Sequence, residues 1–324
     1  MHPELLRTGI LAALQSGLRF AGAYLLDGDE VLSAESWHPD EISVDERDRL
    51  LQLLTSGAEF TDAELNRHLG SPPIPADRRT HLVLVDALQT HFPHAYVVGE
   101  EASDREWDIA EGAPEDSLIF QVDAIDGSLP YDTLTFGFSV NLLAYRRGPK
   151  TDELLFAALV NSSGFLATFQ EGAGVTVGTF KNQQRVIEPL SQNFRSDSIA
   201  ALGALPRHRR LIEAILRDDS LTVFTTAGAP AALGLIAGRL GVLVATKSQT
   251  THDAVFLPIL AALGVPIMVE GGLVLGLEDV RRLFAHVARS QEDRRAHPIP
   301  RFVVARNPIF GAAIARLLFS EEAQ

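Results

Sequence analysis

The sequence contains no cysteine, only 2 Trp and 2 Met among its 324 residues, and no long uninterrupted apolar run. The absence of cysteine excludes disulfides, zinc–thiolate sites and thiol nucleophiles, and it fits a reducing compartment. The longest uncharged stretches, residues 221–238 and 254–269, contain Thr, Gly or Pro, which favours buried α/β elements over membrane spans. Glu4 and Arg7 interrupt the N-terminus, unlike a signal peptide. We therefore expect a cytoplasmic protein that does not bind membranes.

Basic residues are also scarce. Lys and Arg number 28 against 42 Asp and Glu, so the formal net charge is −14. This balance disfavours binding to nucleic acid or to anionic membranes, and a phosphorylated substrate would need local help, for example from a metal ion. The length permits a large core and two domains, which we place at residues 1–191, an N-terminal α+β half, and 192–324, a C-terminal α/β half.

The apolar spacing predicts an α/β protein. Leu6, Ile10 and Leu14 recur every four residues and predict a first amphipathic helix. Further helices are predicted after Asp77 and at residues 229–237, 254–263, 278–289 and 310–319. Strands are predicted at residues 96–98, 118–122, 138–145, 154–160, 165–170, 198–202, 222–225, 242–245, 267–269 and 302–304. Those at 138–145, 154–160 and 165–170 are predicted to form an antiparallel meander. We also expect a small hairpin from residues 23–26 and 30–32, and a turn at the glycines of 172–178.

The stretch SLIFQVDAIDGSLPY, residues 117–131, carries the strongest chemical signal. A buried strand at 118–122 is predicted to end at Asp123, and Asp126 follows three residues later. Two carboxylates at the end of a buried strand are costly unless a cation lies between them. Oxygen ligands suit Mg²⁺, and the amides of Gly127 and Ser128 could hold a phosphate oxygen. An Asx turn explains only one of the two aspartates.

Three more carboxylates, Asp77, Glu100 and Asp253, lie at predicted strand ends or helix starts. Taken alone, Asp77 or Asp253 fits a helix N-cap, and Glu100 fits an exposed loop. A phosphatase with an aspartate nucleophile of the haloacid-dehalogenase type would need its two aspartates two residues apart, whereas Asp123 and Asp126 are three apart.

Taken together, these motifs resemble the inositol monophosphatase family. GEE at 99–101, DAIDGS at 123–128 and HD at 252–253 occur in the family's order, and DAIDGS is similar to its central D-P-[IL]-D-G-[ST]. SPPIPADR at 71–78, GAPAALGLIAGR at 228–239 and ARNPIF at 305–310 match at lower specificity. The resemblance implies a layered α/β/α/β/α sandwich and Mg²⁺-dependent hydrolysis of a small phosphate monoester, inhibited by lithium and usually carried out by a homodimer.

The resemblance also implies roles for individual residues. The first Mg²⁺ would be held by Glu100, Asp123 and the Ile125 carbonyl, and the second by Asp123, Asp126 and Asp253, roughly two to three ions in all. With Ser128, Asp77 would orient and deprotonate the attacking water, while the Gly127 and Ser128 amides hold the phosphate. The C-terminal half would supply Asp253 and a leaving-group pocket with Lys247 and His252, although either residue alone also fits plain surface.

The sequence departs from the family pattern near Asp253. His252 replaces the Trp of the late motif W-D-x-A-[AG]-G, and Val255, Phe256 and Leu257 replace its small residues. Pro258 is expected to distort the first turns of the following helix. Two alternatives therefore stay open: a nucleotidase of the same superfamily acting on adenosine 3′,5′-bisphosphate, and a non-catalytic regulator that binds a phosphorylated metabolite.

Overall fold

A computed structural model of the chain describes residues 2–26, 75–99, 102, 104–127, 137–186, 198–202, 222–226, 229–286 and 298–319. Within these residues the helices are α1 (Pro3–Leu26), α2 (Pro75–His91), α3 (Asp104–Glu111), α4 (Pro230–Ile236), α5 (Leu257–Ala262), α6 (Leu277–Phe284) and α7 (Pro308–Phe319). The strands of the N-terminal half are β1 (Tyr96–Gly99), β2 (Leu118–Asp126), β3 (Ser139–Arg146), β4 (Glu153–Asn161), β5 (Phe165–Gln170), β6 (Gly174–Thr179) and β7 (Gln183–Val186). Those of the C-terminal half are β8 (Ser198–Leu202), β9 (Thr222–Thr226), β10 (Val242–Ala245), β11 (Ile267–Val269), β12 (Val274–Leu275) and β13 (Phe302–Ala305).

The first sheet contains β1 to β7 in sequence order. Strand β1 pairs with β2 in parallel, and every later neighbour pairs antiparallel. Short connections join β3, β4 and β5, which is the geometry that antiparallel neighbours allow. The predicted meander is therefore confirmed.

The second sheet is mixed, with the order β12-β11-β13-β10-β8-β9. Strands β8, β9 and β10 run in parallel, whereas β13 pairs antiparallel with both β10 and β11. Its strands β10, β11 and β13 are continuous apolar segments whose residues are all buried, as expected for strands covered on both faces. The five strands predicted for this half are all present.

Three hydrophobic clusters define the layers. Helices α1 and α2 cover one face of the first sheet, where Leu14 and Leu84 pack with Phe120. Helices α3 to α6 lie between the two sheets in the largest cluster, and α7 covers the outer face of the second sheet. The α/β/α/β/α sandwich is therefore confirmed. Each sheet lies on one side of the predicted 191/192 boundary, but the middle cluster draws residues from both halves. Of the described helices, none has the length and apolar character that crossing a membrane requires.

Several local predictions were wrong. Helix α1 continues to Leu26, so residues 23–26 are not a strand; residues 30–32 lie outside the described part. Glycines 174 and 178 belong to strand β6, and only residues 171–173 form a turn. Helix α5 begins at Leu257 rather than 254, because Pro258 lacks an amide hydrogen and is tolerated only in a helix's first turn.

Candidate metal centre

Strand β2 does not end at Asp123, as predicted, but continues to Asp126. Asp123 pairs with Asn141 and Asp126 with Ser139, so three steps along β2 match only two along β3. This is a β-bulge with one extra residue. Residues three apart on a regular strand face opposite sides of a sheet. The bulge removes this alternation and allows Asp123 and Asp126 to face the same side.

The side-chain amide of Asn141 joins the two carboxylates. Its nitrogen lies 3.4 Å from Asp123 Oδ2 and 3.2 Å from Asp126 Oδ2. Asp126 Oδ2 also accepts a hydrogen bond from the backbone amide of Ala229, which directly precedes α4. Both carboxylates are buried, at 5% and 8% exposure. Asn141 was missed by the sequence reasoning, although a polar residue inside the apolar run SVNLLAYR was a usable signal.

Asp253 belongs to the same electrostatic environment. The pKa of Asp126 is raised from its ordinary 3.8 to about 7, first by burial and also by the negative charge of Asp253. The hydrogen bonds from Ala229 and Asn141 and the positive charge of His252 act in the opposite direction. Mutual repulsion of this kind is what a bound cation relieves.

The turn that carries Asp253 is internally hydrogen-bonded. Asp253 Oδ2 accepts from the Thr250 hydroxyl at 2.7 Å and from the Thr250 amide at 3.3 Å. His252 Nε2 lies 3.6 Å from Asp253 Oδ1. The first residue flanking α5 is Phe256, so Asp253 is not its N-cap. His252 is only 6% exposed, which excludes a solvent-facing role.

Asp77 is a buried residue in the first turn of α2. The helix begins at Pro75, so Asp77 lies inside it and is not its N-cap. One turn later, the ring of His81 lies against Gly99, the last residue of β1. Helix α2 connects to β1 through a short turn and so runs antiparallel to it. Its N-terminus with Asp77 therefore lies at the sheet end where β1 and β2 finish, the end that carries Asp123.

The structure gives less information on the remaining predicted site residues. Glu100 and Ser128 lie outside the described residues. Gly127 has φ 98°, a backbone conformation that favours glycine. The Ile125 side chain packs with α1 and α2, away from the middle layer. Lys247 is half-buried in the loop after β10.

The donor chemistry fits Mg²⁺. The ligating atoms available at this sheet end are carboxylate oxygens, which hard divalent cations prefer. Within the described residues, however, no three His, Asp or Glu side chains are grouped closely enough to hold a metal ion. The candidate metal ligands among the described residues are thus the pair Asp123 and Asp126, with Asp253 nearby.

This chain is similar to known proteins in structure but not detectably in sequence. Neither a scan against protein-family models nor a search of curated proteins gave a match. Among solved structures, inositol monophosphatase II from Staphylococcus aureus aligns with 99% of this chain and 96% of its own, at a TM-score of 0.58 and 15% identity. This chain has the inositol monophosphatase fold. The Thermotoga maritima inositol monophosphatase (78% and 85% covered, TM-score 0.56, 17% identity) and CysQ from Bacteroides thetaiotaomicron (92% and 97%, 0.53, 15%) share it.

The raised pKa of Asp126 predicts how pH affects the stability of the metal-free protein. Below pH about 4 Asp126 is protonated in both states, whereas between about 4 and 7 only the folded state keeps the proton. The free energy of unfolding should therefore fall as pH rises through this window, by up to about 1.4 kcal/mol per unit. Urea denaturation in EDTA at pH 4.5 and 7.5 measures this, and Asp126→Asn should show a smaller fall. Equal falls in both proteins would contradict the prediction.

Proposed function

We propose that this chain is a divergent inositol monophosphatase that hydrolyses a small phosphate monoester with the help of Mg²⁺. The observation that carries the proposal is the pair of buried carboxylates, Asp123 and Asp126, joined by the Asn141 amide at a β-bulge with Asp253 close by. A buried pair of like charges lowers stability unless a cation accompanies it. The fold supports the same interpretation, because it is shared with proteins named as inositol monophosphatases.

Each of the candidate site residues has a distinct proposed role. Bound Mg²⁺ supplies a water of lowered pKa and neutralises charge on the phosphate. Asp123, Asp126 and Asp253, with Glu100 and the Ile125 carbonyl, would hold it. Together with Ser128, Asp77 would orient the attacking water and accept its proton. The amides of Gly127 and Ser128 bind phosphate oxygens, because the positive φ of Gly127 turns the chain at the end of β2.

The substrate is proposed to be an inositol or sugar monophosphate or a similar small ester. Inositol monophosphatase II from S. aureus has been solved with inositol monophosphate and with 2′AMP bound, so one protein of this fold binds both a polyol phosphate and a nucleotide phosphate. Buried His252 and half-buried Lys247 lie on the loop before Asp253 and would contact the leaving group. A cationic Lys247 there also favours a second candidate, a bisphosphorylated nucleoside.

Lithium should inhibit the enzyme, as the resemblance implies; a staphylococcal inositol monophosphatase 1 has been solved as a lithium chloride inhibitory complex. We further propose a cytoplasmic homodimer. Phosphate release at rising LiCl concentrations tests the first point, and sedimentation tests the second. Full activity at high lithium concentration would contradict a family-type third metal position.

A substrate panel tests the function directly. The purified protein is assayed for phosphate release from inositol, sugar, 2′-nucleotide and 3′,5′-bisphosphate esters, with Mg²⁺ and with EDTA. We expect turnover of at least one ester, abolished by EDTA and restored by excess Mg²⁺. Binding of an ester without release of phosphate would instead support the non-catalytic regulator.

A further inference from the structure

A buried polar contact links strand β2 to the turn that carries Asp253. Gln121 Nε2 donates to Thr251 Oγ1 at 3.1 Å, and Tyr145 OH donates to Gln121 Oε1 at 3.5 Å. All three side chains are almost completely buried, inside or beside the middle apolar layer. A buried amide without partners costs free energy. Packing alone therefore does not explain why a polar side chain, Gln121, lies at this point in an apolar layer.

Each of the two hydrogen-bonded residues, Gln121 and Thr251, lies two residues before an aspartate in the sequence. Gln121 precedes Asp123 on β2, and alternate residues of a strand share a face, about 7 Å apart. Thr251 precedes Asp253 in the turn between β10 and α5. A hydrogen bond between Gln121 and Thr251 therefore brings Asp123 and Asp253 to neighbouring positions, although one belongs to the first sheet and the other to the C-terminal half.

Hydrogen bonds within the turn do not fix the position of Asp253 relative to Asp123. Asp253 is hydrogen-bonded to Thr250, which belongs to the same turn. At the other end of the turn, Gln249 forms a two-bond bridge with Ile299, which leads into β13 of the second sheet. Apolar contacts of Ala254 and Phe256 hold the turn in the middle layer but are not directional. The Gln121–Thr251 hydrogen bond adds a directional tie to β2.

We propose that Gln121 and Thr251 form a positioning pair that aligns Asp253 with Asp123 and Asp126, and that this alignment sets how tightly the site binds Mg²⁺. The proposal rests on the proposed function, because it assumes that these carboxylates bind Mg²⁺. Groups that orient metal ligands typically affect metal affinity by 10- to 100-fold when removed. Both side chains are buried and neither is among the residues proposed to contact the ester, so the affinity for the phosphate ester should be unaffected at saturating Mg²⁺.

The test compares Thr251→Val, which removes the hydroxyl at nearly constant shape, with Thr251→Ser, which keeps it. A matched control is Thr168→Val, since Thr168 is equally buried and its hydroxyl lies 2.6 Å from that of Thr176. Thr168 lies on β5, three strands away from β2. Mg²⁺ is titrated into each metal-free protein by calorimetry, and melting temperatures are measured in EDTA.

We expect Thr251→Val to bind Mg²⁺ about tenfold more weakly than wild type, while Thr251→Ser and Thr168→Val stay within about twofold. Phosphate release should need about tenfold more Mg²⁺ for half-maximal rate, with KM for the ester unchanged at saturating Mg²⁺. Equal Mg²⁺ affinity in Thr251→Val and Thr168→Val would overturn the positioning role, and so would a Thr251→Ser variant as weak as Thr251→Val.

A second variant covers the case in which Thr251→Val does not fold. Gln121→Met removes the other partner at similar volume and should weaken Mg²⁺ binding comparably. If Gln121→Met and Thr251→Val both fold, their combination should be no weaker than either one, because a single contact is lost. Full additivity would count against the pair. Wild-type protein that binds no Mg²⁺ would overturn the proposed function and the pair with it, whereas Mg²⁺ binding indifferent to both residues would overturn the pair alone.

Discussion

Asp123→Asn is expected to lower the rate of phosphate release by about 10³-fold or more at saturating ester. Asp123 is the carboxylate that the resemblance assigns to both metal positions, and an amide carries no charge to hold a cation. Losing roughly 4 kcal/mol of transition-state stabilisation corresponds to this factor. Stopped assays with and without Mg²⁺ measure the loss, and excess Mg²⁺ should restore little of it.

The same substitution should leave the fold intact. Removing one of two buried carboxylates relieves repulsion with Asp126, so the melting temperature in EDTA should stay constant or rise. Asp108→Asn is a matched control, since Asp108 is exposed on α3 and is not among the proposed metal ligands. It should retain full activity. An Asp123→Asn variant that is stable and still turns over the ester at near wild-type rate would refute the metal mechanism.

The local parts of this structure could be predicted from sequence because their signals are local. Alternating and continuous apolar runs place β1 to β5 of the first sheet and β8 to β11 and β13 of the second, but not β6, β7 and β12, and the spacing of Leu6, Ile10 and Leu14 places α1. The acidic pair in DAIDGS stands out because carboxylates after a buried strand are rare without a reason. Its position at the end of β2 was therefore found without any knowledge of its neighbours in space.

The features that complete the site depend on contacts between distant residues. The bulge that turns Asp126 onto the face of Asp123 is a matter of register with β3, which a single strand's pattern does not contain. Asn141 and the pair Gln121 and Thr251 are ordinary polar residues until the pairing of their elements brings them to the carboxylates. A side chain whose role is to position another residue is therefore hard to recognise from a single sequence.

The departures from the family pattern after Asp253 have a packing explanation. Val255, Phe256 and Leu257 are all buried in the middle cluster between the two sheets. Bulky residues where the family has small ones would be intrusive in a tightly packed helix, but residues 251–256 form turns and α5 begins only at Leu257. The chain thus fills the middle layer with larger side chains without removing Asp253 from the neighbourhood of Asp126.

Of the substitutions proposed here, Phe256→Ala is therefore expected to have the largest effect on stability, lowering the free energy of unfolding by about 3–5 kcal/mol. Phe256 is fully buried, and its ring packs edge-on against Phe302 of β13 at a centroid distance of 6.0 Å. Truncation removes this contact and leaves a cavity between α5 and the second sheet, which a close-packed layer fills only partly. Urea denaturation in EDTA measures the change.

Two companion variants separate packing from chemistry. Phe256→Leu keeps most of the volume and should cost clearly less than Phe256→Ala, whereas Ile309→Ala, at an 80% exposed position, should change stability by less than about 0.5 kcal/mol. Because Phe256 follows Asp253 by three residues, Phe256→Ala should also weaken Mg²⁺ binding, and Phe256→Leu should largely restore it. A small stability loss in Phe256→Ala, comparable to that of Ile309→Ala, would show that the middle layer does not depend on this ring, and the packing explanation for the altered motif would be wrong.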